Sequence, residues 1–250
     1  MKILSLFSGI GGLELGLERA GLGRTCWQVE QDPFCRQVLA RHWPDAQRFE
    51  DVCAVTGADF PGCEVICGGF PCQDISLAGK GGGLDGERSG LWREFFRLIC
   101  EIRPRLIIAE NVPALVTRGL ERVLCDLAGA GYDAEWEVVS AADAGAPHLR
   151  KRVFIIGAPG DTDSQSQPAR TQHGSEAPRV RSDAASHSDW WQAQPGGGAV
   201  ADGIPGRVAR LRALGNAVVP QVAELVGRRA LRVLADGVSG DAWHLGYHVR

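Results

Sequence analysis

A chain of 250 residues with 44% hydrophobic content can bury a sizeable core, which fits one α/β domain or one domain with an appendage and excludes intrinsic disorder for most of the length. Its eight cysteines, behind an N-terminal apolar run (Ile3 to Phe7) too short for an export signal, fit a reduced cytoplasmic protein better than a disulfide framework, and no stretch approaches membrane-span length. The net charge of −3 is uneven: residues 1–146 carry 14 Lys/Arg against 21 Asp/Glu and residues 147–250 carry 13 against 9, so a surface for a polyanion is expected in the C-terminal part.

Lys2 to Phe7 reads as an apolar strand. Ser8-Gly9-Ile10-Gly11-Gly12 then turns into a helix from Leu13 to Ala20 that ends at Gly21. Glycines let a backbone approach a ligand closely, and the following helix N-terminus offers unpaired N–H groups. The spacing is not that of the dinucleotide fingerprint, so a different nucleoside ligand is expected. Thr25 to Val29 forms a second strand ending in Glu30, where a carboxylate can accept hydrogen bonds from ribose hydroxyls or simply cap a helix in solvent. A helix from Pro33 to about His42 follows, with proline at a favoured first-turn position. Beyond it lies Phe49-Glu50-Asp51-Val52, whose Asp51 can accept from the exocyclic amine of a purine.

Glu64 to Cys67 is the next strand, and it runs into Gly68-Gly69-Phe70-Pro71-Cys72-Gln73. A thiol on a rigid turn past a strand end reaches the crevice where ligands gather in open α/β sheets, which makes Cys72 a candidate nucleophile. Its alternative is a small buried hydrophobe. A metal site is not expected, because Cys63, Cys67 and Cys72 lack paired Cys-x-x-Cys spacing and have no accompanying histidine cluster. Residues 78–88 hold five glycines with Lys80 and Arg88, the composition of a mobile loop able to close over a polyanion and exclude water, or of an inert connector. Leu91 to Ile102 carries a helical apolar stripe, read as core packing with only Leu91 near a ligand.

Arg105 to Ala109 is a strand of buried type that delivers Glu110-Asn111-Val112 at its end, where a partly desolvated carboxylate has a raised pKa and can donate a proton near neutrality. Leu115 to Leu127 is expected as one amphipathic helix and Ala134 to Ser140 as a strand. His148-Leu149-Arg150-Lys151-Arg152 opens the last strand, and alternation puts Arg150 and Arg152 on one side. Residues 160–189 are nearly devoid of large apolar side chains and are expected to be disordered without a partner, with Trp190-Trp191 as an anchor beyond them. Order resumes at Arg207 and continues through Gly215-Asn216-Ala217-Val218-Val219-Pro220 into a C-terminal helix with Val222, Leu225, Val226, Leu231 and Leu234 on its apolar face.

In that order, Phe7-Ser8-Gly9-Ile10-Gly11-Gly12, Gly68 to Gln73, Glu110-Asn111-Val112, Arg150-Lys151-Arg152 and Gly215 to Pro220 resemble the motifs of the DNA (cytosine-5) methyltransferases, most closely the short bacterial and phage forms. The resemblance covers residues 1–158 and 203–235. It implies an α/β, class I S-adenosylmethionine-dependent methyltransferase fold, Rossmann-like, with a mostly parallel sheet and helices on both faces. Residues 1–158 would be the catalytic and cofactor-binding domain, 159–205 a reduced target-recognition segment, 206–235 a motif and helix returning to the catalytic domain, and 236–250 a tail. It further implies that S-adenosyl-L-methionine lies against Phe7, Gly9, Ile10, Gly12, Glu30, Asp51, Val52, Pro71, Leu91, Asn216 and Ala217. Cys72 would add to carbon 6 of a flipped-out cytosine, Glu110 would protonate or hydrogen-bond ring nitrogen 3, Arg152 would bind the carbonyl at carbon 2, and Arg150 would support the site. Gln73, Ser76, Lys80 and Arg88 would contact double-stranded DNA. The protein would act as a monomer without a membrane, alongside a restriction endonuclease cutting the same site. Methylation of cytosine in tRNA, or a decayed relic that binds cofactor or DNA without catalysis, are the alternatives. The family usually has Gln-x-Arg-x-Arg where this chain has His148-Leu149-Arg150-Lys151-Arg152.

Overall fold

The computed structural model describes residues 1–71, 90–160 and 207–238. The expectations for the glycine-rich loop at 78–88, for nearly all of 160–189, for Trp190-Trp191 and for most of the tail lie outside those residues. Among the described residues seven strands form one sheet: β1 (Lys2–Leu6), β2 (Arg24–Val29), β3 (Gln47–Phe49), β4 (Val65–Gly69), β5 (Leu106–Asn111), β6 (Tyr132–Ser140) and β7 (Lys151–Pro159). Their spatial order is β3-β2-β1-β4-β5-β7-β6. β1 to β5 run parallel, and β7 is antiparallel to both β5 and β6.

Period-two alternation divides the apolar strand residues between two cores. Leu4, Leu6, Ile66, Ile107, Val153 and Ile155 face α3 (Gly90–Ile102), which brings Trp92, Phe95, Leu98 and Ile99 to the same core. Also on that side are α4 (Leu115–Arg118) and α5 (Leu120–Gly129). Ile3, Val65, Cys67, Leu106, Ile108, Phe154 and Ile156 point the other way, toward α1 (Gly12–Arg19) and the C-terminal helix. Each fully buried Leu, Ile or Phe contributes roughly 1.5–3 kcal/mol. The helix expected over Leu115 to Leu127 is two helices, because Gly119 interrupts an otherwise continuous apolar stripe. Helix α2 (Pro33–His42) begins as its sequence dictates: Asp32 caps it by accepting from the N–H groups of Phe34 and Cys35, and Pro33 occupies the first turn.

Among the described residues, two helices follow residue 206: α6 (Arg207–Asn216) and α7 (Pro220–Asp236). α7 packs on α1 through small residues. A Cβ on Gly12 would strike the carbonyl of Val218, one on Gly16 would strike Ala223, and one on Gly227 would meet Ala20. Glycine at these positions is what lets the two backbones approach. A buried bidentate pair, Arg229 Nε and Nη2 to the two oxygens of Glu135 at 2.6 Å each, fastens α7 to β6. The C-terminal helix therefore returns to the N-terminal glycine loop, 200 residues away in sequence. Among the described residues no helix is long and apolar enough to cross a membrane, and no cluster of three metal-ligating side chains occurs.

Candidate active site

The sheet order reverses between β1 and β4, and the loops at their C-terminal ends sit side by side at that switch point, the preferred ligand crevice of such sheets. After β1 the chain turns through three left-handed residues, Phe7 (φ 54°), Gly9 (φ 56°) and Gly11 (φ 87°). Phe7 is a non-glycine residue in this region, a strain of order 1–3 kcal/mol that the surrounding structure holds in place. The position a Cβ would take on Gly9 is open space. Glu30, at the end of β2, is fixed against this loop: Oε2 accepts from Gly9 N at 2.7 Å and Oε1 from Asp32 N at 2.8 Å. It is not the cap of α2, a role that belongs to Asp32. Asp51 is exposed and caps the short 3₁₀ turn Val52–Ala54 by accepting from Cys53 N at 2.9 Å, while Val52 is buried.

The glycine loop, Glu30, Asp51 and Val52 thus lie at the ends of adjacent strands β1, β2 and β3. Ile10 is half-buried in the loop. The contact between Gly12 and Val218 brings the end of α6, with exposed Asn216 and half-buried Ala217, next to the same loop. Pro71 is exposed at the end of β4's turn and Leu91 is half-buried in the first turn of α3. The open face over Gly9 and the carboxylates at the ends of β2 and β3 fit the nucleoside part of S-adenosylmethionine.

The second half of the crevice is built by β5 and β7. Because β7 is antiparallel to β5, its start lies beside β5's end, with Asn111 opposite Val153. This register places Arg152 against Glu110, with Nε donating to Oε1 at 2.8 Å. Glu110 is 8% exposed. Burial pushes its pKa up to about 7, although Arg152 and Arg150 both pull it down. Arg150 sits near enough to interact with Glu110 and Arg152, and its buried Nε and Nη2 have no hydrogen-bond partner among the described residues. Its own pKa is pushed down by burial and by Arg152. His148 is exposed.

Gly69 stands opposite Glu110 in the β4–β5 pairing, and a Cβ there would lie 2.5 Å from Glu110 Oε2. With Oε1 held by Arg152, Oε2 is thus the oxygen over β4, the strand that leads to Cys72. Cys72, Gln73, Ser76, Lys80 and Arg88 lie outside the described residues. The turn before Cys72 is tethered by Asn111, whose Nδ2 donates to Phe70 O at 2.9 Å and whose Oδ1 accepts from Val112 N at 2.8 Å. Local pattern assigns Asn111 no task of its own. The available signal was a polar amide ending a strand in which every residue is buried, a place where an amide needs partners.

A seven-stranded sheet in this order, with a glycine loop after β1 and a carboxylate at the end of β5, has the class I methyltransferase fold. The model of the C-5 cytosine-specific DNA methylase family matches residues 1–190, and the chain belongs to that family. Its members depend on S-adenosylmethionine and act on DNA. The chain is 36% identical over 167 residues to the type II methyltransferase M.NgoFVII of Neisseria gonorrhoeae, covering 64% of this chain and 44% of the relative. It is 37% identical over 177 residues to M.AquIA of Picosynechococcus, covering 62% and 71%. A crystal structure described as a DNA modification methyltransferase encoded within an E. coli prophage superposes with a TM-score of 0.54 at 31% identity, covering 64% of this chain and 47% of the other. The Schizosaccharomyces pombe Dnmt2 methyltransferase shares the fold, with a TM-score of 0.56 at 19% identity, covering 64% and 51%. The chain spans less than half of the M.NgoFVII sequence and of the prophage-encoded structure.

Proposed function

We propose that this chain transfers a methyl group from S-adenosylmethionine to carbon 5 of cytosine in double-stranded DNA, through a covalent adduct at Cys72. The observation that carries the reading is the desolvated Glu110–Arg152 pair beside the turn that leads to Cys72. The Cys72 thiolate adds to carbon 6 of the ring, and electron density moves toward nitrogen 3. Glu110, whose pKa burial raises to about 7, can supply a proton to that nitrogen from Oε2 near neutral pH. Arg152 holds Oε1 through Nε and, with Nη1 donating to Lys151 O, offers Nη2 to the ring carbonyl at carbon 2. The bound cofactor supplies the methyl group that carbon 5 accepts. Loss of the proton at carbon 5 and departure of the thiol then restore the aromatic ring.

The loop around Phe7 to Gly12, with Glu30, Asp51 and Val52, holds the cofactor, and Pro71, Leu91, Asn216 and Ala217 complete its pocket. A cytosine stacked in a duplex offers neither face of its ring, so the target base is flipped out at a cost of a few kcal/mol. Gln73, Ser76, Lys80 and Arg88 contact the DNA. The protein works in the cytoplasm as a monomer, beside a restriction endonuclease acting on the same site, with residues 159–205 as a reduced target-recognition segment. Incubation of the purified chain with methyl-labelled cofactor, and with DNA and tRNA separately, tests the activity. Label is expected in DNA and absent with Cys72→Ser. Label in tRNA alone would replace the substrate, and transfer by Cys72→Ser would exclude the mechanism.

A further inference from the structure

The amphipathic helix α3 has a polar stripe as well as the apolar one. Glu94, Arg97 and Glu101 follow one another at helical spacing, and the Arg97 guanidinium uses all three nitrogens. Nε donates to Glu94 Oε2 at 2.7 Å and Nη1 to Glu101 Oε1 at 2.9 Å. Nη2 crosses to another element and donates to two backbone carbonyls, Val52 O at 3.1 Å and Val55 O at 2.9 Å. Glu101 Oε2 reaches the same segment and accepts from Gly57 N at 2.7 Å. A Cβ on Gly57 would stand 2.9 Å from the Glu101 Cβ, so glycine is needed for this approach.

These contacts clamp the stretch from Val52 to Gly57, which no strand holds in place. Its own turns contribute the Asp51 cap and the bond from Ala54 N to Asp51 O at one end, and the Thr56–Asp59 capping box with the bond from Phe60 N to Gly57 O at the other. We propose that Arg97 is a positioning residue for the cofactor: it fixes the turn that presents Asp51 and Val52, and ties it to the helix whose first residues include Leu91. Two parts of one pocket, the 3₁₀ turn and the start of α3, are thereby held in a single geometry. The two carboxylates keep the guanidinium charged and aimed, since both raise its pKa against the opposing effect of burial. A lysine cannot reproduce this, because one ammonium cannot span two carboxylates and two carbonyls in a planar fork.

The inference rests on the cofactor placement proposed above, and binding measurements separate the two. Titration of the full chain with S-adenosylhomocysteine by calorimetry is the test, on wild type, Arg97→Met, Arg97→Lys, Asp51→Asn and the Arg97→Met/Asp51→Asn double variant. Both Arg97 variants are expected to bind at least about tenfold more weakly. The double variant is expected to bind about as weakly as the weaker single variant, because Arg97 acts through the Asp51 turn. In steady-state methylation, Arg97→Lys is expected to raise KM for the cofactor by more than it lowers kcat. Arg97→Lys keeps the charge and stem, so it carries the test if Arg97→Met does not fold. Wild-type binding with Arg97 variants within twofold of it, or losses that multiply in the double variant, would overturn the proposal while leaving the cofactor site standing. A wild-type chain that does not bind would overturn the cofactor placement as well.

Discussion

Glu110 and Arg152 form an ion pair with an Nε to Oε1 distance of 2.8 Å, yet the carboxylate has a pKa of about 7 instead of the usual value near 4.5. The cause is desolvation: at the end of β5, with Phe154 opposite and β4 alongside, the charged form loses more hydration than the guanidinium returns. The pair is therefore suited to proton donation as much as to charge pairing.

Glu110→Gln keeps the shape of the side chain and a donor but removes the transferable proton. Methyl transfer is expected to fall by about 10²- to 10⁴-fold with the fold retained. The protonated form is lost as pH rises through about 7, so the wild-type rate should decline above that pH on the limb controlled by this group. Initial rates between about pH 6 and 9 for both proteins check this, and the limb should be missing from the Glu110→Gln profile.

Glu14 has no place in the chemistry and lies fully buried in α1, beside Ser5 and Ser8, with its pKa raised to about 7 by burial. A carboxylate whose folded pKa lies above its unfolded value binds more protons in the folded state, so the contribution of Glu14 to stability is greatest below about pH 4.5 and declines as pH rises toward 7. Glu14→Gln is expected to stabilise the protein at pH 8 by up to about 3 kcal/mol, and to make little difference at pH 4. Denaturant midpoints at the two pH values read this directly.

Glycines in this chain divide by what surrounds them. Gly16 lies against Ala223 and Pro220 of α7, so Gly16→Ala is expected to cost about 1–3 kcal/mol by forcing α1 and α7 apart. Gly129, in the last turn of α5, faces open space, and Gly129→Ala should be neutral or stabilise by up to about 1 kcal/mol. Urea unfolding of both variants distinguishes packing from simple backbone freedom.

Much of this architecture was legible in the residues, for stated reasons. β1, β2, β4 and β5 are short apolar runs closed by glycine or acidic residues, and such runs in a parallel sheet read clearly because both of their faces are buried. β3 did not read as a strand, since Gln47-Arg48-Phe49 has little apolar signal and forms by pairing with β2. The break at Gly119 was hidden inside a continuous apolar stripe. Glu110 was legible because a strand end names its own position. The tether from Asn111 to Phe70 and the clamp from Arg97 to Val52 join residues 41 and 45 positions apart, and local pattern carries no sign of such partners. Arg97 was absorbed into a helix read for its apolar face alone.

In the proposed reaction Cys72 attacks a cytosine whose ring nitrogen Glu110 protonates. Fluorine at carbon 5 cannot leave as a proton does, so duplex DNA containing 5-fluorocytosine, incubated with the chain and S-adenosylmethionine, should arrest the reaction at the adduct. Denaturing gels and intact-mass measurement should then show a covalent protein–DNA species carrying one added methyl group, mapped to the peptide containing Cys72. It should be absent with Cys72→Ser and much slower to form with Glu110→Gln. Methylated unmodified DNA without any trapped species, or an adduct on a residue other than Cys72, would contradict the account.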